Sequence, residues 1–356
     1  MRVLIVGAGI GGLTLAHALR QRGLSFDLVE RAERWEPVGA GLGLWSNALR
    51  VLDRLGLFER VVAAGIPFTG GEVTDERGRV LTSVHYPSSG SRIPVGVALL
   101  HYDLHEALRH GLEDSTRMAT TYPRVRGDYD LVVGADGIGS QVRERFWGTV
   151  PIRDAGYTSW RFVVPLAIPL PGATEMWGRG KRVGLVPLRG GRLYCFATRN
   201  VPAEFEDPVK GRLARFREHF GDFGGHFPAA LTALTRDEEL IHARLGDVRL
   251  TSWTRPGAAL LGDAAHAMTP NVAQGAAMAI EDAWVLAECV ARNELSAYEP
   301  ARRKRVEWVQ KLSWRFGVVG QWQSPLACFV RDRAMRLAPT DAAPRRLASI
   351  LDGGPC

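Results

Sequence analysis

Residues 2–6, Arg2-Val3-Leu4-Ile5-Val6, run apolar after the first position and end in Gly7-Ala8-Gly9-Ile10-Gly11-Gly12. A continuous apolar run suits a strand buried on both faces. The glycines suit a strand-to-helix turn: Gly7 for the tight bend, Gly9 for close backbone approach to a pyrophosphate, Gly12 for packing helix on strand. Leu13 to Arg22 reads as an amphipathic helix stopped by Gly23, and Phe26-Asp27-Leu28-Val29-Glu30 as the next strand. Glu30 then stands at a strand end, where it can accept hydrogen bonds from ribose hydroxyls, with Arg31 beside the adenine or pyrophosphate. The unit predicts a doubly wound α/β fold that binds a dinucleotide.

About 250 residues later the chain reads Gly262-Asp263-Ala264-Ala265-His266-Ala267-Met268-Thr269-Pro270, then Ala273-Gln274-Gly275 into a helix. Asp263, at a strand end, can hold a ribityl hydroxyl. Gly275, Ala276 and Ala277 start a helix whose free amides can stabilise negative charge on a reduced flavin. Two helix starts so far apart imply a long cofactor held at both ends. FAD fits that description, and a simple NAD dehydrogenase does not.

The texture between these motifs alternates. Gly70 to Val97 and Thr158 to Phe196 are strand-rich, whereas Asp130-Leu131-Val132-Val133-Gly134-Ala135-Asp136-Gly137 is a buried strand entering a polar turn. The expected architecture is a Rossmann-like FAD-binding module (1–69, 98–150, 251–310) with an inserted antiparallel β-sheet substrate module (70–97, 151–250) and a helical C-terminal tail (311–356).

Composition excludes several classes. The 356 residues carry a formal charge of +7, with 45 Lys+Arg, yet no basic stripe interleaved with aromatics marks a nucleic-acid surface. Ala301-Arg302-Arg303-Lys304-Arg305 reads as a solvated helix face. Cys195, Cys289, Cys328 and Cys356 are scattered, which suits reduced thiols and neither a disulfide framework nor a metal site. No segment has the apolar length of a membrane span, and the apolar N-terminal stretch is a strand–turn–helix, not a signal peptide. A cytoplasmic monomer or homodimer is expected.

With Ile138-Gly139-Ser140-Gln141-Val142-Arg143 completing the middle motif, the chain resembles the single-component FAD-dependent aromatic hydroxylases, the class of p-hydroxybenzoate and salicylate hydroxylases. The resemblance spans nearly the whole chain. It implies FAD, NADPH or NADH as reductant, and O₂ activated as a flavin C4a-hydroperoxide that hydroxylates a planar aromatic or heteroaromatic small molecule. It also implies that Asp136 and Arg143 face both FAD and the nicotinamide nucleotide, that Gly41 lies on the cofactor side, and that the Pro270 carbonyl lies near substrate and flavin. His266 is expected to pack or hydrogen-bond and not to act as a base.

Three departures stand out. His101 occupies a slot usually held by arginine, Ala277 one usually held by asparagine, and the segment between Met118 and Asp130 is shorter than in relatives. A weaker hold on adenosine is the expected result. On the substrate side, Arg182 and Tyr194 flank Pro187 and Gly190-Gly191 as in a hairpin, similar to urate-type hydroxylases. Trp45, Trp160, Phe162 and Phe196 are candidate aromatic walls. The competing readings are a flavoenzyme acting on an isoprenoid or quinone, and an FAD-binding protein without monooxygenase turnover.

Overall fold

The first apolar run becomes β1 (Arg2–Val6), buried over its last four residues. The glycine turn leads into α1 (Ile10–Gln21), and β2 (Ser25–Val29) returns parallel to β1 with Val6 opposite Val29. The structure is a computed structural model describing residues 1–35, 40–68, 70–85, 91–123, 125, 127–166, 170, 172–338 and 354. The expected turn at 87–90, as well as Arg124, Arg126 and Cys356, lies outside these residues.

Next come β3 (Gly41–Trp45), α2 (Ser46–Arg54), α3 (Phe58–Ala64), β4 (Ile66–Phe68), β5 (Gly70–Asp75), β6 (Val80–His85) and β7 (Gly96–Leu100). The chain continues through α4 (His101–Arg109), β8 (Thr116–Arg117), β9 (Leu131–Gly134) and α5 (Gln141–Trp147). A strand-rich stretch follows: β10 (Arg153–Pro165), β11 (Ala173–Trp177), β12 (Lys181–Leu188) and β13 (Arg192–Asn200). After α6 (Arg212–Phe220) and α7 (Phe227–Ala233) come β14 (Ile241–Asp247), β15 (Thr254–Arg255) and β16 (Ala258–Leu260). Four helices close the chain: α8 (Asp263–His266), α9 (Gly275–Ala291), α10 (Leu295–Gly320) and α11 (Pro325–Leu337).

These strands form three sheets. A six-stranded sheet in the order β15-β16-β9-β1-β2-β8 places the three buried apolar strands read from the sequence side by side and parallel. A seven-stranded sheet, β14-β10-β13-β12-β11-β5-β6, gathers strands from both β-rich stretches, as an inserted module requires. The third sheet, β3-β7-β4, was not anticipated; it joins the two modules and puts Gly41 opposite Leu100.

Alternation divides the seven-stranded sheet into two faces. Trp160, Phe162, Cys195 and Ala197 pack with Phe216, Phe220 and Phe227 of the helices behind it. Val163, Val186, Tyr194 and Phe196 turn the other way, toward Ala98, Leu100 and Phe68 of the three-stranded sheet. Among the described residues no helix is long and apolar enough to cross a membrane.

Candidate functional site

The start of α1 is open. Gly9 precedes the helix in extended backbone, and no side chain caps it, so its first amides remain free for an anion. A Cβ at Gly9 would meet no protein atom within 4 Å, which leaves room for a ligand to lie on the backbone. Gly12 is the opposite case, since a Cβ there would stand 1.9 Å from the Gly7 carbonyl oxygen. Gly7 itself has φ +102°, and a Cβ would meet the Ala135 oxygen at 2.6 Å. Gly11 packs against Leu261, and Ile10 is the half-buried first residue of the helix.

Glu30 follows β2, and its carboxylate already buttresses this turn. Oε2 accepts from the Ala8 N–H at 2.8 Å and Oε1 from the Ala32 N–H at 3.0 Å. Each oxygen keeps a lone pair for a hydroxyl. Arg31 is exposed beside it. The short connection after Met118 closes on the same place, with Ala119 N–H donating to the Ala32 carbonyl and Thr120 N–H to that of Glu30, both at 2.8 Å.

Asp263 opens α8. Its carboxyl reaches solvent, yet the surrounding protein displaces enough water to push its pKa up, against the pull of His266. α9 begins without a side-chain cap, and a Cβ at Gly275 would again meet nothing within 4 Å. Ala276 is half-buried there. Ala277 is wholly buried, so it offers the cleft only its backbone. His101 starts α4, donating its N–H to the Ala40 carbonyl at 2.8 Å. Burial, then His105 and Arg161, push its pKa down to about 4, so it is neutral near pH 7.

The candidate substrate residues Tyr194 and Phe196 lie where the seven-stranded sheet packs against the three-stranded one. The Tyr194 and Phe196 rings stand 6.2 Å apart on one face of β13, and Trp45 meets Phe68 edge-on at 5.0 Å. Glycines make the space: a Cβ at Gly41 would stand 2.5 Å from Tyr194 Cγ, and one at Gly184 2.0 Å from Phe196 Cε1. Gly41 therefore makes room for Tyr194. Burial pushes the Tyr194 hydroxyl up to about 12, leaving it a neutral hydrogen-bonding group.

Two substrate expectations change. Trp160 faces away, its Nε1 donating to Asp207 at 2.8 Å and its ring packed edge-on against Phe216 and Phe220. It is core, as is Phe162. Arg182 shares the pocket face but pairs across the ladder with Thr198, not Tyr194, whose partner is Val186. Four residues separate the two levels, about 13 Å along the strand. Pro187 lies inside β12 and not in the turn. Arg182 is buried, ion-paired with Glu175 at 2.9 Å and donating to Asn271 Oδ1 at 2.6 Å. Pro270 begins a 3₁₀ turn, Pro270–Val272, and its carbonyl accepts the Ala273 N–H at 3.0 Å.

The FAD binding domain family matches the chain over residues 1–126 and 121–313. The chain is 38% identical to 2-heptyl-3-hydroxy-4(1H)-quinolone synthase of Pseudomonas aeruginosa, across 99% of this chain and 98% of that protein. It is 34% identical to aurachin C monooxygenase/isomerase of Stigmatella aurantiaca, across 97% and 96%. The chain belongs to the FAD-dependent monooxygenases. The fold agrees: Klebsiella pneumoniae HpxO, solved with FAD and uric acid, superposes with a TM-score of 0.90 at 25% identity, covering 100% of this chain and 97% of that one.

This flavoenzyme spends several motif residues on its own frame. Asp136 Oδ2 accepts from the Gln141 and Val142 N–H groups at 2.7 and 3.3 Å. Arg143 donates to the carbonyls of Ala264, at 2.9 Å, and Ile138. Both are expected to face nucleotides; within the protein Asp136 holds the first two amides of α5, and Arg143 ties α5 to α8. His266 is buried against Trp253, its Nε2 2.5 Å from Asp282 Oδ2. Arg302 bridges Asp282 at 2.7 Å and Glu281 at 2.5 Å with all three side chains buried, and Arg305 adds to Glu281 at 2.8 Å. Within the basic run of α10, Arg302 is thus buried and braces α9 with help from Arg305, while Lys304 is exposed and Arg303 pairs with Glu299 and Glu307, so the run is a solvated face only in part.

Three residues beside the candidate substrate residues went unread. Phe68 is isolated in sequence from the other aromatics. Asn271 links Arg182 to Tyr157, donating to its hydroxyl at 2.8 Å, and also to the Ser313 carbonyl at 2.9 Å. Arg161 sits next to Trp160 on the pocket face of β10. The alternation Trp160-Arg161-Phe162-Val163 was the signal available for it.

Proposed function

We propose that this monooxygenase hydroxylates an oxo-substituted, bicyclic N-heteroaromatic of the quinolone type. The observation that carries the reading is the near full-length 38% identity to the quinolone synthase, matched by an aromatic slot walled by Tyr194, Phe196 and Phe68. FAD, reduced by NAD(P)H, supplies the oxygen-activating chemistry when bound. The residues fit it: the open backbone at Gly9 and Gly275 leaves two cradles at uncapped helix starts. In this reading the amides after Gly9 hold the pyrophosphate and Glu30 the adenosine ribose. Asp263 takes a ribityl hydroxyl, and the Gly275–Ala277 amides face the ring that accumulates negative charge.

The pocket's own residues then orient the ring and exclude water. Flat rings pack well between Tyr194, Phe196 and the Phe68–Trp45 pair, and a dry slot limits loss of activated oxygen. The test is NADPH oxidation by the FAD-loaded protein with 2-heptyl-4(1H)-quinolone, urate or neither, in ¹⁸O₂. Stimulated oxidation with label in the quinolone product is expected. Stimulation by urate alone would move the substrate class to purines. Consumption that yields only peroxide with every ring would favour a flavoprotein without hydroxylation.

A further inference from the structure

Arg161 lies on β10 opposite Phe196, on the face that carries Val163, Tyr194 and Phe196. It differs from the buried, ion-paired arginines. Arg182 is offset by Glu175, Arg302 by Glu281 and Asp282, and Arg212 by Asp207. Arg161 has no ion pair or hydrogen bond among the described residues, and its Nε is buried without an acceptor. A desolvated guanidinium donor left unmet is costly, and a fold retains such a group where a ligand meets it. Its neighbours supply no opposing charge. His101 is neutral near pH 7 and Tyr194 keeps its proton, and Arg161 acts electrostatically on both. This stretch of the aromatic slot therefore carries an unspent positive charge.

We propose that Arg161 is the specificity-determining residue of the pocket, anchoring the oxo or ionised-oxygen edge of the heteroaromatic substrate. The proposal rests on the monooxygenase reading above. The planar fork of a guanidinium suits an oxygen in the ring plane, and its charge favours the ionised form of that oxygen. Arg182, four residues along the neighbouring strand and held by Glu175 and Asn271, then braces the pocket instead of reading the substrate.

The test compares two probes on FAD-loaded protein, 2-heptyl-4(1H)-quinolone and 2-heptylquinoline, which lacks the ring oxygen. Binding is read from perturbation of the flavin spectrum and from tryptophan quenching. Wild-type protein should prefer the quinolone. Arg161→Gln should weaken quinolone binding by roughly 10- to 100-fold and leave 2-heptylquinoline nearly unchanged. Arg161→Lys should recover part of the preference, with FAD content unchanged and no loss of melting temperature in either variant. Discrimination that survives Arg161→Gln, or equal weakening of both probes, overturns the role of Arg161. Wild-type protein that neither binds nor turns over either probe overturns the quinolone reading and this assignment with it.

Discussion

At the scale of single residues, Gly9 and Gly12 put the same amino acid to opposite uses. Gly12 is closed against the Gly7 carbonyl, whereas Gly9 faces open space. Gly12→Val should lower the melting temperature of the apoprotein, because the helix must leave the strand. Gly9→Val should leave that temperature unchanged and weaken FAD binding. Apoprotein melting and FAD titration separate the two; FAD affinity equal to wild type in Gly9→Val would contradict the cradle. His101 gives a pH signature. The fold holds its pKa at about 4 against an ordinary 6.5, by burial and the nearby His105 and Arg161. As pH falls below about 6.5 the unfolded chain takes the proton first, so stability present above that pH drains away toward about 4. His101→Gln should remove this slope, worth at most about 3 kcal/mol. Urea unfolding at pH 7 and pH 4.5 checks it, and equal losses in both proteins would sink the assignment.

At the scale of elements, α10 shows how local pattern misleads. Arg302 and Arg303 are adjacent, yet one is 1% exposed between two buried carboxylates and the other pairs with Glu299 and Glu307 near solvent. Arg302→Met leaves Glu281 and Asp282 buried without their cation and should cost about 3–5 kcal/mol. Arg303→Met should cost under about 1 kcal/mol. Denaturant unfolding of the two variants reads the difference, and equal costs would mean that the brace carries no load. The βαβ unit, the strand at 131–134 and the glycine-led start of α9 were legible because each depends on local periodicity and turn chemistry. The brace was not, since its acids lie on another helix about twenty residues earlier. The substrate wall was half legible: the strands of the hairpin were clear, but which aromatics shared a face depended on register. Trp160 faced the wrong way for that reason, and Arg161 was passed over beside it.

At the scale of the whole molecule, the proposed FAD contacts come from residues 7–12, 30–32 and 263–277, so in that reading the cofactor ties distant stretches together. Ligand binding to the folded state alone should raise the melting temperature, by about 2.7 kcal/mol of stability at 100 times Kd. In the proposed reading the adenosine end rests on Glu30, beside the short connection bonded to Glu30 and Ala32. Dialysis should therefore strip FAD readily and its re-addition restore the higher melting temperature; flavin retained through prolonged high-salt dialysis would contradict this.

The two-faced sheet has a further consequence, for descent and design. Trp160 and Arg161 are neighbours in sequence but serve separate tenants, one the aromatic knot with Asp207 and Phe216, the other the slot. In the proposed reading, replacements at 161, 163, 194 and 196 would change which molecule fits while the interleaved positions go on holding the sheet to its helices. A lineage can thus trade one substrate for another without passing through an unfolded ancestor. A library confined to alternate residues of β10 and β13 samples that same freedom.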